Sequence, residues 1–362
     1  MRVLILANND MGLYKFRKEL LEELVKKHKV YFCVPKGEFV EDICKIGCKF
    51  IECLDMDRHG TNPVKELKLM SFYLKVIKRI KPDIVFTYTI KCNAYGGMAC
   101  ALAKVPYVAN ITGLGTAIEN GGILSKVSSL LYKIGLVKAQ KVFFQNEENK
   151  EFMLSHRIVK GAYDVLPGSG VNTEQHCYEP YPKYDQKIVF TTIGRIMKDK
   201  GIDEILGAAE IIKKEYPNVV FRLIGDFDEN FKEKVKQAQG KNIIEYLGFQ
   251  NDIHPFIADS HAILHASYHE GMSNVLLESA STGRPVIATN VHGCIETYDP
   301  DVTGIAYKPR STIALVKAIR KFLKLPHEEK EKMGLLGREK VVREFSRQII
   351  IDKYLKEIEI VK

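Results

Sequence analysis

Glu270-Gly-Met-Ser-Asn-Val-Leu-Leu-Glu278 is the stretch on which the reading of this chain turns, taken with Gly194-Arg195 and Lys200-Gly201 upstream. Two carboxylates at this spacing lie roughly 80° apart around a helix and about two turns from end to end. A glycine and a Ser-Asn pair follow the first acid and read as a helix start. That predicts Glu270 in the preceding loop and Glu278 inside the helix. A helix opening presents backbone N–H groups to an anion, and the dipole adds to the attraction. Arg195 and Lys200, just after a predicted strand, supply positive charge for the same anion. The set describes a site for a diphosphate with polar groups on both sides, which is the chemistry of a nucleotide-sugar.

Gly194-Arg195…Lys200-Gly201-Ile202, Glu270-x7-Glu278, Gly283-Arg-Pro-Val-Ile287 and Gly293…Glu296…Thr303-Gly304 occur in that order. This ordered set resembles the C-terminal half of the retaining family 4 glycosyltransferases of the GT-B fold. The likeness is dense over residues 186–345 and more diffuse before them. It implies an α/β chain of two Rossmann-like domains facing each other across a cleft: an acceptor-binding domain over 1–178 and a donor domain over 186–345. A helix over 346–362 would cross back to the first domain.

The residues themselves read the same way. A chain of 362 residues can bury two cores of ordinary size. Both halves alternate short β-rich runs with helical stretches, the pattern of a parallel sheet covered on both faces. The candidate strands are Val3–Ala7, Val30–Val34, Lys49–Cys53, Ile84–Tyr88, Tyr107–Ile111, Lys141–Gln145 and Asp164–Leu166, then Ile188–Gly194, Val219–Gly225, Ile243–Leu247, Ala262–Ala266, Pro285–Thr289 and Ile305–Tyr307. Glu179-Pro-Tyr-Pro-Lys-Tyr-Asp185, rich in proline and charge, is the expected linker. Ligands of such sheets bind beyond the carboxyl ends of the strands.

Composition narrows the partners. The net charge is +9, concentrated in residues 1–180, as suits a polyanion or an anionic membrane surface. Nucleic acid is not expected, since no basic-aromatic binding module is present. The eight cysteines contain no Cys-x-x-Cys pair, so reduced thiols are expected rather than disulfides or a zinc site. No signal peptide and no spanning-length apolar run is visible. The expected location is the cytoplasm, at the inner face of the plasma membrane.

By the resemblance, Arg195 and Lys200 grip the diphosphate and neutralise charge as the sugar–phosphate bond breaks. The bland alternative is two surface cations on a loop. Glu278 accepts hydrogen bonds from the ribose hydroxyls. Glu270 faces the donor sugar, binding a hydroxyl or stabilising an oxocarbenium-like centre. Gly194, Ser273, Asn274 and Val275 complete the donor side. His269 is expected to be a loop residue. No metal is expected, on the reading that the chain has no Asp-x-Asp of the kind that metal-dependent GT-A transferases use.

On the N-terminal side, Gly12 follows the first strand, where a glycine lets backbone approach substrate closely. Tyr14…Arg17 resembles the bacterial subgroup that extends polyprenyl-diphosphate-linked sugars. Arg17 then meets an acceptor phosphate, or is an ordinary solvated helix cation. Thr112-Gly113-Leu114-Gly115-Thr116 follows a strand and can cradle an anion or sugar. No histidine lies between His59 and His156, so an acid–base group on this side stays unassigned. In the segment Ile123–Lys138, apolar residues recur at 123, 124, 127, 130, 131, 134 and 137 among lysines. Such a helix rests at an anionic bilayer or covers its own sheet.

The expected activity is therefore retaining transfer of an N-acetylhexosamine or hexose from a UDP-sugar to a polyprenyl-diphosphate-linked glycan acceptor, in bacterial surface polysaccharide or glycan assembly. Rivals are a UDP-sugar epimerase or hydrolase of the same fold, and a non-catalytic nucleotide-sugar-binding subunit.

Overall fold

The structure is a computed structural model and describes residues 1–54, 62–114, 122–183 and 187–361. The chain divides into two compact units, Met1–Ser169 with Gln348–Lys362, and Gly170–Arg347.

The first unit holds β1 (Arg2–Leu6), β2 (Lys29–Val34), β3 (Lys49–Glu52), β4 (Ile84–Tyr88), β5 (Tyr107–Ile111), β6 (Lys141–Phe144) and β7 (Tyr163–Val165), in the order β3-β2-β1-β4-β5-β6-β7. The second holds β8 (Ile188–Ile193), β9 (Val219–Ile224), β10 (Glu245–Tyr246), β11 (Ala262–His265), β12 (Val286–Thr289) and β13 (Gly304–Tyr307), in the order β10-β9-β8-β11-β12-β13. Pairing is parallel, as in β1 with β2 and β4 and in β8 with β9 and β11. Every predicted strand is present, with ends shifted by a residue or two. In each sheet the chain runs outward from a middle strand and then crosses back. The reversal falls between β1 and β4 in one sheet and between β8 and β11 in the other. A crevice opens at the carboxyl ends of the strands at such a reversal.

Both faces of the first sheet are covered. Val3 and Ile5 of β1 enter one core and Leu4 and Leu6 the other, the alternation that a strand imposes. The first of these cores also takes Ile350, Ile351, Tyr354 and Ile358 from the C-terminal helix Arg347–Val361. The Tyr354 hydroxyl donates to Asn110 Oδ1, and Lys353 Nζ reaches Asp164 at 2.8 Å. The last helix is thus part of the first unit.

Two boundaries differ from the sequence expectation. The first unit ends at Ser169 rather than 178. From Val171 the chain is tied to the other end of the second unit: its N–H donates to Phe345 O at 2.9 Å, and its carbonyl accepts from Arg347 N–H at 3.0 Å. The expected linker at 179–185 is built into the second unit as far as it is described. Tyr181 is buried and donates to His261 O at 2.8 Å. Arg284, 1% exposed, donates to the carbonyls of Glu179 and Pro180 at 2.9 and 2.7 Å. A Pro-rich stretch reads as a linker by composition, but here its carbonyls satisfy a buried guanidinium.

The helix Gly122–Leu136 buries Tyr132 and Leu136, which lie outside the predicted apolar stripe. Gly135 lets the backbones meet, since a Cβ there would lie 2.5 Å from Ala94 Cα. Val127, Leu130 and Ile134 are exposed, at 47%, 56% and 48%. Three residues at helical spacing therefore form an apolar face turned to solvent. Among the described residues, no helix is long and apolar enough to cross a membrane.

Candidate active site

The site is built at the strand reversal of the second unit. β8 is followed by Gly194, with φ +155°, and β9 by Gly225, with φ +144°. A Cβ on Gly225 would sit 1.8 Å from Gly194 O, so these strand ends cross where only glycine fits. Arg195 then opens a loop, and its guanidinium pairs with Asp228 beyond β9. Lys198–Lys200 form a single 3-10 turn closed by Gly201 in the left-handed region, φ +66°. A Cβ on Gly201 would lie 2.3 Å from Ala266 O. That close approach sets Lys200 beside the end of β11.

There Lys200 Nζ pairs with Glu270 Oε1, with side chains 21% and 14% exposed. His265, the last residue of β11, brings Nε2 to the same oxygen at 3.0 Å and to Ser273 Oγ at 3.2 Å. Burial alone would raise the Glu270 carboxyl. The Lys200 charge and the His265 contact outweigh it and hold the group well below the usual carboxylate range. Glu270 is a carboxylate at neutral pH. Its backbone is fixed by Gly293, φ +81°, whose Cβ would lie 2.5 Å from Glu270 O. Gly293 O accepts from Ser273 N–H at 2.7 Å, and Gly293 N–H donates to Glu296 at 2.7 Å.

The helix Asn274–Ser281 begins as predicted, with Ser273 as its N-cap in extended conformation. Ser273 makes no side-chain cap bond and turns its hydroxyl to His265 instead. The first-turn N–H groups of Asn274 and Val275 are therefore not claimed by that side chain. Asn274 Oδ1 is buried with no hydrogen-bond partner among the described residues, a group that calls for a donor. Glu278 lies inside the helix, 13% exposed, with His176 Nε2 at 3.9 Å.

Lys200, Glu270 and Ser273 thus form one cluster, with Asn274, Val275 and Glu278 on the helix that starts there. Arg195 lies on the same loop as Lys200 but is half exposed, with its own carboxylate partner. His265 carries no role in the sequence reading, although its position closing a strand just before Glu270 was the available signal. The absence of Asp-x-Asp is corrected: Asp55-Met-Asp57, Asp226-Phe-Asp228 and Asp299-Pro-Asp301 are all present. The first lies outside the described residues, and in the second Asp228 is engaged by Arg195.

The other expected residues belong to the first unit. Gly12 is not in a loop. It is in the first turn of the helix Asp10–Val25, and its N–H donates to the N-cap Asn9 at 2.6 Å. The Asn9 cap extends the helix back to Asp10, which turns the expected loop into helix. Arg17 is not a solvated cation: it is 5% exposed, with its guanidinium 5.2 Å from the Tyr88 ring centroid and 5.9 Å from that of Tyr354. No carboxylate among the described residues pairs with it. Gly113 has φ +153° and open space where a Cβ would stand. Gly115 and Thr116 lie outside the described residues.

Two Rossmann-like units of this topology make up a chain of the GT-B fold, and its family is that of the glycosyltransferases. Residues 178–340 match the family of glycosyl transferases group 1, and residues 2–146 the glycosyl transferase 4-like family. The chain belongs to these family 4 glycosyltransferases. It is 26% identical, over 98% of both chains, to the N,N'-diacetylbacillosaminyl-diphospho-undecaprenol alpha-1,3-N-acetylgalactosaminyltransferase of Campylobacter jejuni. It is 29% identical to the UDP-Gal:alpha-D-GlcNAc-diphosphoundecaprenol alpha-1,3-galactosyltransferase of Escherichia coli, over 64% of this chain and 63% of that one. In fold it resembles Anabaena HepE in complex with UDP and glucose, with a TM-score of 0.81 at 16% identity over 99% of each chain.

Proposed function

We propose that this glycosyltransferase moves an N-acetylhexosamine or hexose from a UDP-sugar to a polyprenyl-diphosphate-linked glycan acceptor, with retention at the anomeric carbon and without a catalytic metal. The observation that carries the donor side is the Lys200–Glu270–His265 cluster at the opening of the Asn274–Ser281 helix. A diphosphate would lie against the first-turn N–H groups, with Lys200 and Arg195 taking up charge on the leaving UDP. Glu278 would hold the ribose hydroxyls. Glu270, ionised and oriented from two sides, would accept from a donor-sugar hydroxyl. Retention would proceed by departure and attack on the same face, a leaving phosphate oxygen taking the acceptor proton.

On the acceptor side, the supporting observation is Arg17. A buried guanidinium without a carboxylate is costly unless an anion joins it, and the acceptor diphosphate supplies one. Both undecaprenol-linked relatives name such an acceptor. Val127, Leu130 and Ile134, exposed beside Lys126 and Lys133, suit the surface of an anionic membrane carrying it.

The test is calorimetry with UDP, GDP and ADP, then a UDP-sugar panel with prenyl-diphosphate sugars. UDP preference with transfer only in the presence of acceptor is expected. Turnover of UDP-sugar without acceptor would favour an epimerase or hydrolase, and UDP binding without transfer a non-catalytic subunit.

A further inference from the structure

Three side chains of unlike chemistry converge in the second unit away from the donor cluster. Cys177 Sγ, Glu179 Oε1 and His254 Nε2 form a triangle, with sides of 3.7 Å from sulfur to oxygen, 3.8 Å from sulfur to nitrogen and 3.5 Å from nitrogen to oxygen. Bonds from zinc of about 2.3 Å to sulfur and about 2.0–2.2 Å to nitrogen and oxygen put ligands of a tetrahedral site roughly 3.3–3.6 Å apart. The observed triangle is within a few tenths of an ångström of one face of that tetrahedron.

The triangle is held by its surroundings. Glu179 N–H donates to Thr282 O at 3.2 Å, and Glu179 O accepts from the buried Arg284 at 2.9 Å. Just before Cys177, His176 O accepts from Ser281 Oγ at 2.6 Å. Thr282 Oγ1 lies 3.4 Å from His254 Nδ1, the outer contact that fixes which ring nitrogen faces a metal. Backbone from both sides of the triangle is thus anchored on the end of the Asn274–Ser281 helix. Cys177 is exposed, which leaves an approach and a fourth position for water.

We infer that Cys177, Glu179 and His254 bind a thiophilic divalent cation, with zinc the best match to one thiolate, one imidazole and one carboxylate. On binding, the thiol gives up its proton and the thiolate, the neutral imidazole and the carboxylate each donate a lone pair. The cation would staple the segment around 177–179 to His254. It would take no part in the transfer step, and the inference stands whichever sugar the enzyme moves.

The test uses the full chain in chelator-stripped buffer. Calorimetry with zinc chloride is expected to show one equivalent per chain, unaffected by millimolar magnesium, which prefers oxygen ligands. Cys177→Ser and His254→Ala should each weaken binding at least tenfold, and Glu179→Gln, which keeps the shape of the side chain, should weaken it as well. Cobalt chloride should give a thiolate-to-metal absorption band in the wild type that is missing from C177S. No saturable zinc binding by the wild type would overturn the site. So would affinity unchanged in all three folded variants, or a cobalt spectrum without the thiolate band.

Discussion

Lys200 and His265 meet on a single oxygen, Oε1 of Glu270, from opposite directions in the sequence: one from the loop after β8, the other from the end of β11. Removing the ammonium therefore does two things. It takes away a charge aimed at the leaving diphosphate, and it leaves a buried carboxylate with the imidazole as its remaining named partner. Lys200→Ala should lower kcat by about 10²–10³-fold, the scale of losing one stabiliser of developing charge. Circular dichroism should show a folded chain. Near-normal turnover would remove Lys200 from the chemistry.

The same oxygen gives a pH signature. The Glu270 carboxyl is depressed in the folded protein, while an unfolded glutamate titrates near about 4.3. Its contribution to stability is thus fully present above that unfolded value and is lost as pH falls through it toward the folded one. Glu270→Gln should be less stable than wild type at neutral pH by about 3 kcal/mol, the scale of breaking a buried pair. In urea titrations the gap should narrow once the pH drops below about 4. A gap that stays constant with pH would show that the carboxylate charge contributes nothing.

Gly293 tests how closely the backbone must be kept around Glu270. Its positive φ and the 2.5 Å approach to Glu270 O leave no room for a methyl group. Gly293→Ala should destabilise the chain by about 1–3 kcal/mol. It should also cut kcat more than it raises KM for the donor. Wild-type kinetics in this variant would mean that Glu270 tolerates displacement.

Arg17 separates the two substrates. Arg17→Met keeps most of the buried volume but not the charge. It should raise KM for a polyprenyl-diphosphate acceptor at least tenfold and leave UDP affinity unchanged. Equal loss on both sides would point to a folding role.

The exposed stripe makes a different prediction. Replacing Val127, Leu130 and Ile134 together by serine should abolish sedimentation with phosphatidylglycerol vesicles, since apolar area and anionic attraction act jointly. Transfer to a short-chain, water-soluble acceptor should persist. Undiminished vesicle binding would assign the membrane contact elsewhere.

Strands were the most legible part of the chain. β4, β5 and β8 are buried throughout, so each reads as an apolar run bounded by turn signals. The helix start at Ser273 was legible too, because its chemistry is local. What local pattern does not carry is a partner at a distance. The contact of Arg284 with the carbonyls of Glu179 and Pro180 is invisible to composition, and it turned an expected linker into structure. Sequence alone leaves Arg17 between two readings, because the rings of Tyr88 and Tyr354 that enclose it lie about 70 and more than 300 residues away along the chain. Gly12 reads as loop because a strand precedes it, while the Asn9 side chain caps the helix three residues earlier.

The entry of the Arg347–Val361 helix into the core of the first unit has a bearing on synthesis. The ribosome makes the greater part of that unit first and its last helix only after the whole second unit. The second unit is one continuous run, Gly170–Arg347, and has all its residues before the first has its own. Vectorial folding by domain ordinarily favours the N-terminal one. Here the order of completion is inverted. The first sheet must wait, with one face lacking Ile350, Ile351, Tyr354 and Ile358, until that helix has been made.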